Sequence, residues 1–264
     1  MEAIRAVAVR RMRDPLYGLL DAVFLGRGVP RTVNGERIRF PAPWCRYYPT
    51  TYEQTMHRFL VRSCRPGTAV VDGGAHIGLF TVAMARAVGP RGWVLAFEPT
   101  PGTREVLTRT VGLNDVGARV SVRPEGLAGA TGRMTLHVGQ TEGSNSNSLV
   151  AAAMEGSTEQ VPTVALDDLL PTMPAQLSCI KLDIEGAEID ALLGAEVLLE
   201  TFHPALCIGV HPRMLRAGGR EPSELRDLLL DHGYTLLDGT RSCPTELFNG
   251  DDLFDFQAVH DLSS

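Results

Sequence analysis

The sequence predicts a doubly wound α/β fold on a mostly parallel sheet, and three observations predict it. Short apolar, β-branched runs, Ala69 to Val71, Trp93 to Phe97 and Leu177 to Leu182, alternate with helix-period segments at the spacing of βαβ units. Each run ends in a carboxylate: Asp72, Glu98 and Asp183. Small residues, Gly73, Gly74 and Ala75, follow the first of them, and a ligand can approach backbone of that kind closely. In open sheets of this class, ligands sit off the carboxyl ends of the strands.

The chain has 264 residues, enough for one catalytic domain with a sizeable core. It divides into a helical and hairpin extension, residues 1–66, expected to act as cap, lid or dimer contact, and a main domain, residues 67–264. Net charge is −6 and the basic residues are scattered, which argues against nucleic acid and for a small-molecule partner. The five cysteines, Cys45, Cys64, Cys179, Cys207 and Cys243, include no C-x-x-C pair and read as reduced core residues of a cytoplasmic protein. Arginines and Asp14-Pro15 interrupt the apolar residues of the N-terminus, which makes a poor signal peptide. No apolar run approaches the ~20 residues that span a bilayer, so no membrane partner is expected. Lys181 is the single lysine of the chain.

In chain order, Asp14 as N-cap, Pro15 and Gly26 bracket an amphipathic helix through Leu16, Leu19, Leu20, Val23 and Phe24. Asn34-Gly35 between two strand-like runs predicts a hairpin with a type I′ turn. Thr50 with Glu53, or Thr51 with Gln54, predicts a capping box for a helix through Tyr52, Met56, Phe59 and Leu60. After the opening strand, a helix over Leu79 to Val88, a strand ending at Glu98, a helix from Pro101 to about Leu113 and a strand over Arg119 to Val122 follow. Arg133 to Val138 alternates as a further strand. Gly139 to Gln160, rich in Gly, Ser, Asn and Thr, reads as a substrate-facing loop. Strands over Val161 to Leu166 and Leu177 to Asp183 follow, with Asp167 capping a short helix between them. The rest reads as a helix from Ala187 to about Glu200, a strand over Pro204 to Val210, a helix over Pro222 to Asp231, and an antiparallel pair, Tyr234 to Leu237 with Phe254 to Val259.

Glu98 follows Gly78 by 20 residues, the spacing at which an acidic side chain grips ribose hydroxyls. Dinucleotide sites place glycines against a pyrophosphate, which a carboxylate at Asp72 would repel. The amino group of S-adenosylmethionine would be welcome beside it, so Asp72 favours that cofactor. His76 is read as touching the cofactor through its backbone alone.

Four ordered blocks then carry a resemblance: Val71-Asp-Gly-Gly-Ala-His-Ile-Gly-Leu-Phe-Thr81, Ala96-Phe-Glu-Pro99, Val164-Ala-Leu-Asp-Asp-Leu169 and Ile180-Lys-Leu-Asp-Ile-Glu-Gly-Ala-Glu188. Together they resemble the FkbM family of S-adenosylmethionine-dependent methyltransferases. The resemblance implies a class I methyltransferase fold, Rossmann-like, with a mostly parallel seven-stranded sheet and an antiparallel C-terminal strand. It also implies O-methylation of a small-molecule hydroxyl, often on a natural product or sugar. By position, Asp72, Gly73, Gly74, Ala75, His76 and Gly78 would hold the methionine part of the cofactor, Glu98 the ribose, and Glu125 with Gly126 the adenine.

Lys181 and Asp183 share one strand face, and Glu185 follows in the turn above them. Lys181 is read as a general base, if burial lowers its pKa, or as a residue that orients the acceptor with Asp183; a plain Lys181–Asp183 salt bridge is the structural alternative. His211 is a further candidate base. A magnesium-dependent form of the transfer, through Asp183, Glu185 and His211, is not favoured because no second acidic strand end completes the set. Where the family pattern usually has glutamate, this chain has Gly209, which is read as leaving room for a larger acceptor. That departure keeps a non-methylating or binding role as an alternative.

Overall fold

A computed structural model describes residues 15–139, 156–173 and 176–260. Helix α1, Pro15–Val23, opens them, so the Asp14 cap lies outside the described residues. Strands β1, Val29–Val33, and β2, Glu36–Phe40, form the hairpin, with Asn34 at φ 51° and Gly35 at φ 86° as a type I′ turn requires. Helix α2, Gln54–Ser63, starts later than the sequence suggests: Tyr52 and Glu53 precede it, and no capping box forms. Glu53 sits at φ 42°, a conformation that turns the chain into the helix instead of continuing it backwards.

The alternation then runs β3 (Ala69–Gly73), α3 (Leu79–Val88), β4 (Trp93–Phe97), α4 (Pro101–Leu113), β5 (Val120–Arg123). A side layer follows, of β6 (Gly126–Leu127), β7 (Gly132–Gly139) and β8 (Gly156–Val164). The main sheet resumes with β9, Leu177–Leu182. The helix expected from Ala187 to Glu200 is two, α5 (Glu188–Leu193) and α6 (Glu196–Phe202). The break is at Gly194, where a Cβ would lie 2.3 Å from the carbonyl oxygen of Ala128. The chain closes with β10 (Ala205–Val210), α7 (Pro212–Ala217), α8 (Pro222–Asp231), β11 (Tyr234–Asp238), β12 (Arg241–Ser242) and β13 (Phe254–His260).

The central sheet has the order β12-β11-β13-β10-β9-β3-β4-β5, parallel from β10 to β5 and antiparallel where β13 inserts beside β10. It has eight strands where seven were expected, because the two-residue β12 adds an edge to β11. Strands β6, β8 and β7 form a separate sheet. Of the segment read as one loop over Gly139 to Gln160, residues 156–160 belong to β8, and 140–155 lie outside the described residues. Asp167 caps at long range: its carboxylate accepts the amides of Val197 and Leu198 at the start of α6. Those amides have no intrahelical partner, so a carboxylate there completes the helix end.

Two apolar clusters flank the sheet. Residues of the N-terminal segment, Ile38, Phe40, Tyr48, Met56 and Leu60, share one of them with Val70, Ile77 and Val94. All five cysteines are free and buried. Among the described residues, no helix is long and apolar enough to cross a membrane.

Candidate active site

The carboxyl ends of β3, β4, β9 and β10 converge, and they bring together residues from most of the motifs. Asp72 and Lys181 are cross-strand partners on β3 and β9. Lys181 is 1% exposed, its Nζ 3.3 Å from Asp72 Oδ1, and it donates to the carbonyls of Gly73 and Gly74 at 3.1 Å each. Asp72 is fully buried, and its Oδ2 accepts from the Thr81 hydroxyl at 2.6 Å. Burial pushes the Lys181 ammonium down in pKa, but Asp72, then Asp183 and Glu53, push it up, and the net shift is upward. The condition on which Lys181 was read as a base, a lowered pKa, is therefore not met. The ammonium, which also lies 4.0 Å from Asp183 Oδ2, ties β9 to the turn after β3, and the Asp72 carboxylate faces Lys181 and Thr81 inside the protein.

The glycines of this turn are closely packed. A Cβ on Gly74, at φ +71°, would lie 2.0 Å from the Asp183 carbonyl, and one on Gly73 would lie 2.8 Å from Leu127. A Cβ on Gly78 would lie 2.9 Å from Leu107. Their bareness lets this turn pack on the neighbouring strand end and helix. His76, at φ 49°, donates its backbone N–H to Glu98 Oε2 at 3.1 Å, while its ring meets Tyr47 and the Tyr48 hydroxyl of the N-terminal segment. Glu98 is nearly buried, and its Oε1 accepts from the Thr100 amide. Burial raises its pKa, opposed by the two amides. Glu125 pairs with Arg123 at 2.7 Å, beside the buried Gly126. Burial pushes the Glu125 carboxyl up, but Arg123 more than offsets this and the net shift is downward.

His211 directly follows β10, and Asp183 directly follows β9. His211 Nε2 lies 3.6 Å from Asp183 Oδ1 and 3.5 Å from Glu185 Oε2, and Nδ1 lies 3.1 Å from Glu188 Oε1. Burial pushes the imidazole pKa down, yet Glu188, Glu185 and Asp183 together carry it up to about 9. Gly209 does not open room here: a Cβ on it would lie 2.9 Å from Asp183 Oδ1, so the carboxylate fills the space. Gly209→Ala is expected to fold with a change of about 1 kcal/mol or less, with Asp183 swung away from His211 in its crystal structure. An unmoved Asp183 would refute that packing argument.

Glu53, Glu188 and Asp255 were not singled out from the sequence as site residues. Glu53 is half-buried; burial first, then the Asp183 charge, raises its carboxyl to about 7. Asp255 pairs in register with Gly209, and its pKa is raised by burial and by Asp238 and Asp183. Glu188 closes the quoted Ile180 to Glu188 block, the one signal that could have found it. Among the described residues, no group of three or more His, Cys, Asp or Glu is placed to hold a metal ion. A cavity of about 560 Å³ lies between Leu127 to Met134 and Gly186, Ala187, Asp190 and Arg220, and none of the candidate catalytic or cofactor residues lines it.

The parallel sheet with its inserted antiparallel strand, and acidic residues at neighbouring strand ends, define a class I methyltransferase fold. Within that class the chain belongs to the FkbM methyltransferase family, whose domain model matches residues 72–236. It is similar to Methyltransferase sdnD of Sordaria araneosa, 29% identical over 198 residues, 61% of this chain and 75% of that one. It is also similar to Methyltransferase 1 of Beauveria bassiana, 32% identical over 145 residues, 48% of this chain and 58% of that one. A solved FkbM methyltransferase from Methylobacillus flagellatus KT is 19% identical with a TM-score of 0.46, over 77% of this chain. This chain spans only 51% of that protein.

Proposed function

We propose that the chain is a cytoplasmic S-adenosylmethionine-dependent O-methyltransferase acting on a hydroxyl of a small molecule, a natural product or a sugar moiety. The observation that carries this reading is the placement of His211 Nε2 between Asp183 and Glu185 at the strand ends. The residues present fit the cofactor. Glu98 accepts the backbone N–H groups of His76 and Thr100 and a hydrogen bond from the Thr100 side chain, and an ionised carboxylate has about four lone-pair sites, so capacity remains for a ribose hydroxyl. The backbone from Gly73 to Gly78 would hold the methionine part, and Glu125 with Gly126 the adenine edge. When bound, the cofactor supplies an electrophilic methyl group.

The chain's own residues then position and deprotonate the acceptor. Asp183 orients the hydroxyl, and neutral His211 accepts its proton as the oxygen attacks. With the imidazole held near 9, roughly one in a hundred His211 rings is neutral at pH 7, so turnover rises with pH toward about 9. Positioning supplies much of the remaining acceleration.

Calorimetry with S-adenosylhomocysteine, with and without magnesium, tests the reading. One-site binding is expected in both, weakened roughly ten- to hundredfold in Glu98→Ala, which removes hydrogen bonds to a charged group. No heat in either condition would sink the cofactor assignment, and heat only with magnesium would promote the metal-dependent form.

A further inference from the structure

We propose that Glu188 is a positioning residue that fixes Nδ1 as the hydrogen-bearing nitrogen of His211, so that the Nε2 lone pair faces the acceptor. The consequence for catalysis rests on the function proposed above, but the hydrogen-bond assignment stands on geometry alone. Glu188 is fully buried, with its Oε1 3.1 Å from His211 Nδ1 and 3.0 Å from the Gly186 amide that donates to it. Its other oxygen, Oε2, is buried and meets no hydrogen-bond donor among the described residues. A buried carboxylate so placed depends on the imidazole N–H for compensation.

The competing arrangement would put the hydrogen on Nε2, facing Asp183 and Glu185. Both are farther away, at 3.6 and 3.5 Å, beyond ordinary hydrogen-bond length. Their side chains are also 33% and 18% exposed, so water screens them, whereas Glu188 has none. Distance and burial both favour Glu188. Lys181, on β9, has its ammonium engaged by Asp72, Asp183, Gly73 and Gly74.

The backbone makes the contact possible. Gly186 has φ +99°, and a Cβ there would lie 2.7 Å from Met214 Cβ, so only glycine lets the β9–α5 turn close against α7. That closure brings Glu188, on α5, to His211, whose carbonyl starts α7 by accepting from Met214 and Leu215. Two turns of the chain, 23 residues apart, are thereby joined by one hydrogen bond.

Nitrogen-15 NMR of the imidazole at pH 10, where the ring is neutral, tests the assignment without substrate or cofactor. The expected spectrum has a protonated Nδ1 and an unprotonated Nε2, and Glu188→Ala moves hydrogen to Nε2. A wild-type ring protonated mainly at Nε2, or a pattern unchanged in Glu188→Ala, would overturn the proposal. Should the alanine variant fail to fold, Glu188→Leu fills the volume without an acceptor oxygen and is read in the same way. In turnover, Glu188→Ala is expected to lower kcat on the order of 10²-fold with S-adenosylhomocysteine affinity unchanged. A fall in that affinity matching the fall in kcat would assign Glu188 a structural role only. If methyl transfer is absent in the wild type while the NMR result holds, the proposed function fails and the hydrogen-bond assignment survives.

Discussion

Replacing Lys181 by methionine is expected to cost about 3–5 kcal/mol of folding stability, because it leaves the fully buried Asp72 carboxylate without its cation. The measurement is urea unfolding of the wild type, Lys181→Met, Asp72→Asn and the double variant. The double variant should be more stable than Lys181→Met, since no unpaired charge remains. A Lys181→Met protein as stable as the wild type, but inactive, would return Lys181 to the chemistry. The same geometry explains why one lysine persists among arginines. A compact ammonium reaches two carboxylates, at 3.3 and 4.0 Å, and two carbonyls, which the planar guanidinium fork does not match. Lys181→Arg is therefore also expected to destabilise.

His211 gives the second large effect, a stability that depends on pH. Its pKa is raised from 6.5 to about 9 in the folded chain, where Glu188, Glu185 and Asp183 face it. A raised pKa means that the folded state holds the proton longer, so the stabilisation is fully present below about pH 6.5 and fades as pH rises through about 9. The shift corresponds to about 3 kcal/mol. Unfolding free energies of wild type and His211→Gln, measured at pH 6.5, 7.5 and 9.5, should converge at the alkaline end. Parallel curves would show that the imidazole carries no such charge.

These expectations show which features were local. The strands, their alternation with helices and the Asn34-Gly35 hairpin were legible because periodicity and turn chemistry are properties of adjacent residues. So were the strand-end carboxylates, and the quoted blocks gave the family. What adjacent residues could not reveal was partner choice. Asp72 looked like a cofactor ligand and Lys181 like a base, until the β3–β9 register set them against each other. Asp167 looked like the cap of its own short helix and caps α6 instead. Gly209 looked like room and borders the Asp183 carboxylate.

The sequence by itself determined an α/β sheet with acidic strand ends and membership in a methyltransferase family. Only the tertiary structure decided which ionisable groups neutralise one another and which stay poised. The physical reason is that charge pairing depends on separations of a few ångströms between segments remote in the chain. Lys181 is 107 and 108 residues from the carbonyls it holds, and His211 is 23 from the carboxylate that orients it. Burial then amplifies those contacts, and burial belongs to the packed whole.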